Sequence, residues 1–281
     1  MKRSGIDQRL GHFALAILVC AMAASCSKQN ASNTAADSSS ENVVEDVVVK
    51  PPNCLFIILD TTAVKHVGAW GYARNTTPNI DAFSKGAVLF ENAYSQGPST
   101  LPSTWSFMTG RYPIPKRFKA PGYLGIRDID FTLAQAFQDS GFRTFGYSDN
   151  PYIKEEMGFN KGFDEFTSYP WMMADWKEGD QSTYRDHAST TRMFEKATVS
   201  IGQTTDSPWF SYMHILRPHE PYFAPLPWGT QFMDADEAAS ASEALERGIW
   251  HGIRNDGKEL TDYAVDYLLD SYDGNLAYID Y

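Results

Sequence analysis

The chain has 281 residues, with 24 basic and 35 acidic side chains and a formal net charge of −11. That length supports one large domain with a full core. The acidic balance argues against nucleic acid as a partner, and three cysteines, scattered at 20, 26 and 54, give no disulfide framework.

Lys2, Arg3 and Arg9 precede an apolar run from Phe13 to Met22, and Ala23-Ala24-Ser25 then lead to Cys26. The pattern predicts an export signal, too short for a stable membrane span. Its ending looks like a bacterial lipobox. That resemblance implies a lipid on Cys26, a lipoprotein-type signal over 1–26 and a periplasmic or cell-envelope location, with Ser27 favouring the outer membrane; an ordinary cleaved signal is the other reading. Residues 27–50, rich in Ser, Asn, Ala, Asp and Glu, read as a flexible tether. The remainder, 51–281, is the expected catalytic domain.

Cys54 to Asp60 is a continuous apolar run ending in a carboxylate, which predicts a central parallel strand buried on both faces. Asp60 then stands at the C-terminal edge, where open α/β sheets bind ligands; it is either a metal ligand or a cap for the next turn. Thr77-Pro78 predicts a helix with Thr77 as cap and Pro78 in the first position, closed by Gly86. Val88 to Phe90 reads as a short strand.

The stretch Pro98 to Pro113 is the chemical centre. Pro102 suits the first helical position, Leu101 and Trp105 follow at helical spacing, and Gly110 stops the run. Thr100 is thereby expected just outside a helix N-terminus, where open N–H groups and the dipole suit an anion. A hydroxyl there is placed to attack an anionic ester; the plainer alternative is an N-capped helix in which Thr100 does nothing. The basic loop after it (Arg111, Lys116, Arg117, Lys119) is either solvated or an attraction for polyanions.

Further on, Thr132 to Ser140 predicts a helix stopped by Gly141, and Arg143 to Ser148 a strand, completing a β-α-β rhythm. Ser207 to His214 is another apolar strand, running into His214-Ile215-Leu216-Arg217-Pro218-His219-Glu220-Pro221-Tyr222. Two histidines gather at a strand exit, and His219 between prolines is held in a stiff loop. Leu268 to Tyr281 reads as an amphipathic helix with no stop signal.

Four motifs in order carry a family resemblance. Pro52-Asn53 with the strand to Asp60, then Gly71-Tyr72 and Thr77-Pro78-Asn79-Ile80-Asp81, resembles the sulfatase N-terminus. Thr100-Leu101-Pro102-Ser103 with Met108-Thr109-Gly110-Arg111 resembles the sulfatase signature. Gly158 to Asp164 resembles a recurrent Gly-Phe-x-x-Gly-Phe-Asp segment, and Pro218-His219-Glu220-Pro221-Tyr222 a family His loop. The family belongs to the alkaline phosphatase superfamily. The resemblance implies a doubly wound, mostly parallel α/β sheet between helices, here lacking its C-terminal strands and left with an open edge. It also implies one or two divalent cations (calcium, or zinc or manganese) held by Asp60 and Thr100. Thr100 and His219 become the catalytic residues and Ser103 and His214 the substrate-binding ones.

The departures are equally specific. Thr100 stands where the family has the Cys or Ser that becomes formylglycine, Thr104 where it has an arginine, and Thr61 where many members have a second Asp. The family's Lys-Trp-His segment is replaced near Asp149-Asn150-Pro151-Tyr152. Three functions follow: a metal-dependent hydrolase of sulfuric or phosphoric esters, a transferase moving a phosphoryl headgroup onto an envelope glycan or lipid, or a non-catalytic anion- or glycan-binding homologue.

Overall fold

The computed structural model describes residues 15–20, 51–113, 125–169, 188–257 and 259–281. Cys26, the 27–50 tether, and Lys116, Arg117 and Lys119 of the basic loop lie outside the described residues.

One five-stranded sheet organises the chain, in the order β1 (Leu15–Cys20), β2 (Cys54–Leu59), β5 (Trp209–Ile215), β3 (Arg143–Ser148), β4 (Glu165–Ser168). β2, β5, β3 and β4 run parallel. β1 lies antiparallel along the outer edge of β2, with Leu15 opposite Leu59 and Cys20 opposite Cys54. The physical reason is general: an unpaired edge offers a row of N–H and C=O groups to any apolar extended segment.

Alternation along β2 explains the layering. Cys54, Phe56 and Ile58 face one core with Trp105 and Met108 of α2 (Thr100–Thr109) and Ala134 of α3 (Leu133–Asp139). Leu55, Ile57 and Leu59 face the other, with Met193 and Ala197 of α4 (Ala188–Gly202). Helices on both faces of a parallel sheet make the doubly wound α/β architecture that the strand pattern predicts.

Local signals explain most element ends. Thr132 and Gln135 form a reciprocal capping box on α3. Gly110 closes α2 at φ 66°, its N–H on the Ser106 carbonyl at 2.8 Å; the left-handed backbone there suits only a residue without a Cβ.

Three expectations need correction. α1 (Pro78–Ser84) does start at Pro78, but Thr77 makes no side-chain cap bond. Its helix end is served by Asp280 from 201 positions away, which accepts from Asn79 N (2.7 Å) and Ile80 N (2.8 Å). Val88 to Phe90 is not a strand; Val88 and Phe90 are 79% and 69% exposed, because β propensity without a neighbouring edge forms no ladder. α2 begins at Thr100 rather than at Pro102. Proline is tolerated at the third position for the same reason as at the first, since no carbonyl awaits that N–H.

The last helix, α7 (Asp262–Asp280), starts six positions before the periodic segment, capped by Thr261. Short α5 (Ala235–Ser240) and α6 (Glu243–Asp256) precede it. Among the described residues no helix is long and apolar enough to cross a membrane.

Candidate active site

Parallel pairing carries the strand ends to one place. Asp60 N donates to Ile215 O at 2.9 Å and Asp149 N to His214 O at 3.1 Å. Asp60, His214 and Asp149-Asn150 therefore leave the sheet side by side at its C-terminal edge, where α2 also points its N-terminus.

Asp60 is the hub and is 4% exposed. Its Oδ2 accepts from Thr100 Oγ1 at 3.1 Å and from Asn150 Nδ2 at 2.7 Å, with His214 Nε2 at 3.4 Å. A carboxylate only accepts, so Nε2 of His214 carries the proton and Nδ1 accepts from Tyr212 OH at 2.6 Å. Thr104, the departure from the family's arginine, is buried and bonds the Tyr212 hydroxyl from behind. The result is a buried relay from Thr104 through Tyr212 and His214 to Asp60, with Thr100 at the open end.

Charge follows from this geometry. Burial works to raise the Asp60 carboxyl. The His214 hydrogen bond, the electrostatic pull of the His214 and His219 rings and the Thr100 hydroxyl together outweigh it, so Asp60 is held below the ordinary carboxylate value. Burial pushes Tyr212 well above an ordinary phenol, and the Asp60 charge adds to this; Tyr212 stays a neutral donor.

Thr100 is half-buried at the first turn of α2. Ser103 N returns to Ser99 O at 3.2 Å, so the N–H groups left without an intrahelical carbonyl are those of Thr100 and Leu101. The open N–H groups thus sit two residues earlier than in a helix that starts at Pro102. Ser103 is buried and its hydroxyl meets that of Ser95. His214 likewise turns both ring nitrogens inward, toward Tyr212 and Asp60, and holds the carboxylate rather than facing outward. His219 is half-buried; its Nδ1 lies 2.8 Å from Glu220 O, and its charge reaches Asp60. Arg111 lies 3.8 Å from Asp130, a structural pairing.

Asn150 was missed by sequence reasoning. The available signal was its place directly after a parallel strand, the same argument that selected Asp60. Its neighbour Asp149 is buried, accepts from Leu216 N (2.6 Å) and Thr190 Oγ1 (2.7 Å), and has its carboxyl raised by burial. Asp149 ties the His loop to β3.

The donor set bears on the expected cation. Asp60 and the Thr100 hydroxyl are adjacent, and Thr61 beside them has a buried Oγ1 with no hydrogen-bond partner and a left-handed backbone at φ 56°. Among the described residues no group of three or more His, Cys, Asp or Glu side chains could hold a metal ion. A hard cation takes six or more oxygens; one carboxylate and two hydroxyls do not by themselves hold one.

A family model described as Sulfatase matches residues 52–281. N-acetylgalactosamine-6-sulfatase of Canis lupus familiaris is 23% identical over 218 residues, covering 64% of this chain and 42% of that protein. Among solved structures, the phosphonate monoester hydrolase of Agrobacterium radiobacter aligns with a TM-score of 0.61 at 20% identity, over 82% of this chain and 57% of that one. The soluble domain of lipooligosaccharide phosphoethanolamine transferase A from Neisseria meningitidis aligns with a TM-score of 0.51 at 16% identity, over 80% and 57%. At such identities the two structures speak to the fold. The chain spans less than half the length of the curated relatives it matches.

Proposed function

The chain belongs to the sulfatase family, and on that premise we propose that it acts as a hydrolase of sulfuric or phosphoric esters, with Thr100 as nucleophile. The observation that carries this reading is the Thr100 hydroxyl, 3.1 Å from a buried ionised Asp60 and at the N-terminus of α2.

The chemistry is built from this chain's own groups. Asp60 orients the hydroxyl proton toward Oδ2, so an Oγ lone pair faces the incoming ester. The Thr100 and Leu101 N–H groups and the α2 dipole stabilise the non-bridging oxygens as charge builds on them. Oγ bonds to phosphorus or sulfur as its proton passes to Asp60 Oδ2, and the bridging ester oxygen departs with the proton that His219 supplies. Water then cleaves the threonine ester, giving one proton back to His219 while Asp60 returns the other to Thr100 Oγ1. A divalent cation would neutralise the ester oxygens and lower the hydroxyl's pKa only where groups outside the described residues join Asp60 and Thr100 in holding it; calcium, zinc and manganese are the candidates.

Thr100 favours phosphorus. Its Cβ carries a methyl group, so it cannot become the aldehyde hydrate through which formylglycine enzymes release sulfate. A phosphothreonine can be hydrolysed or passed to an alcohol. The same feature supports the second reading, a headgroup transferase acting on an envelope glycan or lipid, and the similarity to a phosphoethanolamine transferase domain adds to it. Export and a lipid anchor at Cys26 belong to this proposal and rest on the leader's sequence alone; cleavage before Cys26 would take β1 (Leu15–Cys20) away from the edge of β2.

The test is release of 4-nitrophenol by the purified chain from 4-nitrophenyl phosphate, its diester and its sulfate, with calcium, zinc or manganese added. Thr100→Ala abolishes release and Thr100→Ser retains part of it. Release that rises with added ethanolamine marks the transferase. Release unaffected by Thr100→Ala overturns the nucleophile, and anion binding without any release marks the non-catalytic homologue.

A further inference from the structure

The turn that follows Asp60 is held from the far end of the chain. Thr61, the next residue, has a left-handed backbone at φ 56°, a conformation that a β-branched side chain disfavours. The turn's own side chains do not hold it. The Thr61 and Thr62 hydroxyls are buried, and neither has a hydrogen-bond partner among the described residues. Tyr272 of α7 supplies the hold. Its hydroxyl donates to Thr61 O at 3.0 Å and accepts from Ala63 N at 2.7 Å, across 211 and 209 positions of chain. One oxygen thus bridges both ends of the turn.

That hydroxyl is itself fixed in place. Tyr272 is buried, and its ring lies edge-on to His66 and to Tyr222 of the His219 loop, with centroids 4.9 and 5.2 Å apart. Burial holds the phenol well above its ordinary value, so it stays protonated and can give one hydrogen bond while accepting another. The relay that ends on Asp60 does not include this residue.

We propose that Tyr272 is a positioning residue of the Asp60 site. By closing the Thr61 turn it fixes the direction in which the Asp60 carboxylate leaves β2, and hence the hydrogen bond from Thr100. Its part in catalysis rests on the reading of Thr100 as nucleophile. The disfavoured backbone lies one residue from the carboxylate that receives the Thr100 hydroxyl at 3.1 Å. A turn released from Tyr272 relaxes out of the left-handed region, and the peptide after Asp60 rotates with it. Displacements of about 1 Å at reacting groups cost up to about 10²-fold in rate.

Tyr272→Phe tests the proposal, because it keeps the ring and removes only the bridging oxygen. With 4-nitrophenyl phosphate, kcat falls about tenfold. KM stays within about twofold, since the N–H groups at the start of α2 are untouched. A double-mutant cycle with Thr61→Gly identifies the cause. Glycine keeps a left-handed turn without a clamp, so in the Thr61→Gly background Tyr272→Phe costs no more than about twofold in kcat. In a crystal structure of Tyr272→Phe, Thr61 takes a negative φ and the Thr100–Asp60 hydrogen bond is lost. Unchanged kcat, a loss carried by KM alone, or an equal loss in both backgrounds overturns the proposal. A wild-type chain that releases no 4-nitrophenol removes the Thr100 reading instead. The positioning role is then decided by the crystal structure, and a left-handed Thr61 with the Thr100–Asp60 contact intact in Tyr272→Phe overturns it.

Discussion

Two buried aspartates in this molecule use similar partners to opposite ends. Asp273 is fully buried and closed on every side: His66 Nδ1 at 2.7 Å, Tyr72 OH at 2.5 Å and Arg74 Nη1 at 3.0 Å. Asp60 gathers a histidine, an amide and a threonine, with no arginine or lysine from the described residues among the partners of its carboxylate. At Asp273 a full positive charge neutralises the carboxylate, and the cluster clamps α7 onto the loop after β2. At Asp60 the carboxylate keeps its charge available and one donor, Thr100, faces the surface. A histidine–aspartate pair is thus not in itself a mark of chemistry; what ends the network decides.

Mutations separate the two roles, and the largest effect belongs to Thr100. Thr100→Ala should cut turnover by roughly 10³-fold or more, about 4 kcal/mol of transition-state stabilisation. The lost hydrogen bond is half-exposed, so the change in unfolding free energy stays within about 1 kcal/mol; paired kinetics and urea titration show both. Asp273→Ala inverts the pattern. It leaves His66 and Tyr72 without their acceptor and Arg74 with Asp270 alone and should cost about 1–3 kcal/mol of stability, while the turnover per folded molecule stays within a few-fold.

Asn150→Ala comes next. It frees the Asp60 carboxylate to rotate and should lower turnover by about 10- to 100-fold with KM little changed, and a KM rise without a kcat loss would count against it. The smallest effect is on acid unfolding. Asp60 is depressed in the fold, so its contribution is present above the ordinary value of 3.8 and disappears as pH falls through the lower folded value. Asp149 is raised by burial, so its contribution is present below 3.8 and is lost as pH rises toward its folded value. Asp60→Asn should therefore flatten the acid limb below about pH 4, and Asp149→Asn should not.

Much of this was readable in the sequence, and the unread part has a common cause. β2, β3, β5, the capping box of α3 and the Gly110 stop are local patterns, and local patterns survive without coordinates. The same holds for Asp60 and His214, which a parallel strand delivers to the ligand-binding edge by its own direction. What failed was long-range. Thr77 looked like a cap because nothing local reveals Asp280, and Val88 to Phe90 looked like a strand because propensity says nothing about an available edge. Asn150 was read only as part of the stretch that replaces the family's Lys-Trp-His segment, because its partner lies 90 positions earlier. His66 had no assigned role for the same reason, since Asp273 lies 207 positions away.

The placement of β5 between β2 and β3 has a consequence in time. Asp60 meets Thr100 across 40 positions, Asn150 across 90 and His214 across 154. Closing the longest of these loops rather than the shortest adds only about 1 kcal/mol of entropy. On the ribosome, at about 5–20 residues per second, the delay is of the order of ten seconds or more. Throughout it the apolar ribbon Cys54–Leu59 waits for its central neighbour with the edge that β5 will cover unsatisfied. Newly made chains should therefore be most prone to aggregate or to recruit chaperones before Ile215 emerges, and the hub of the site is finished last.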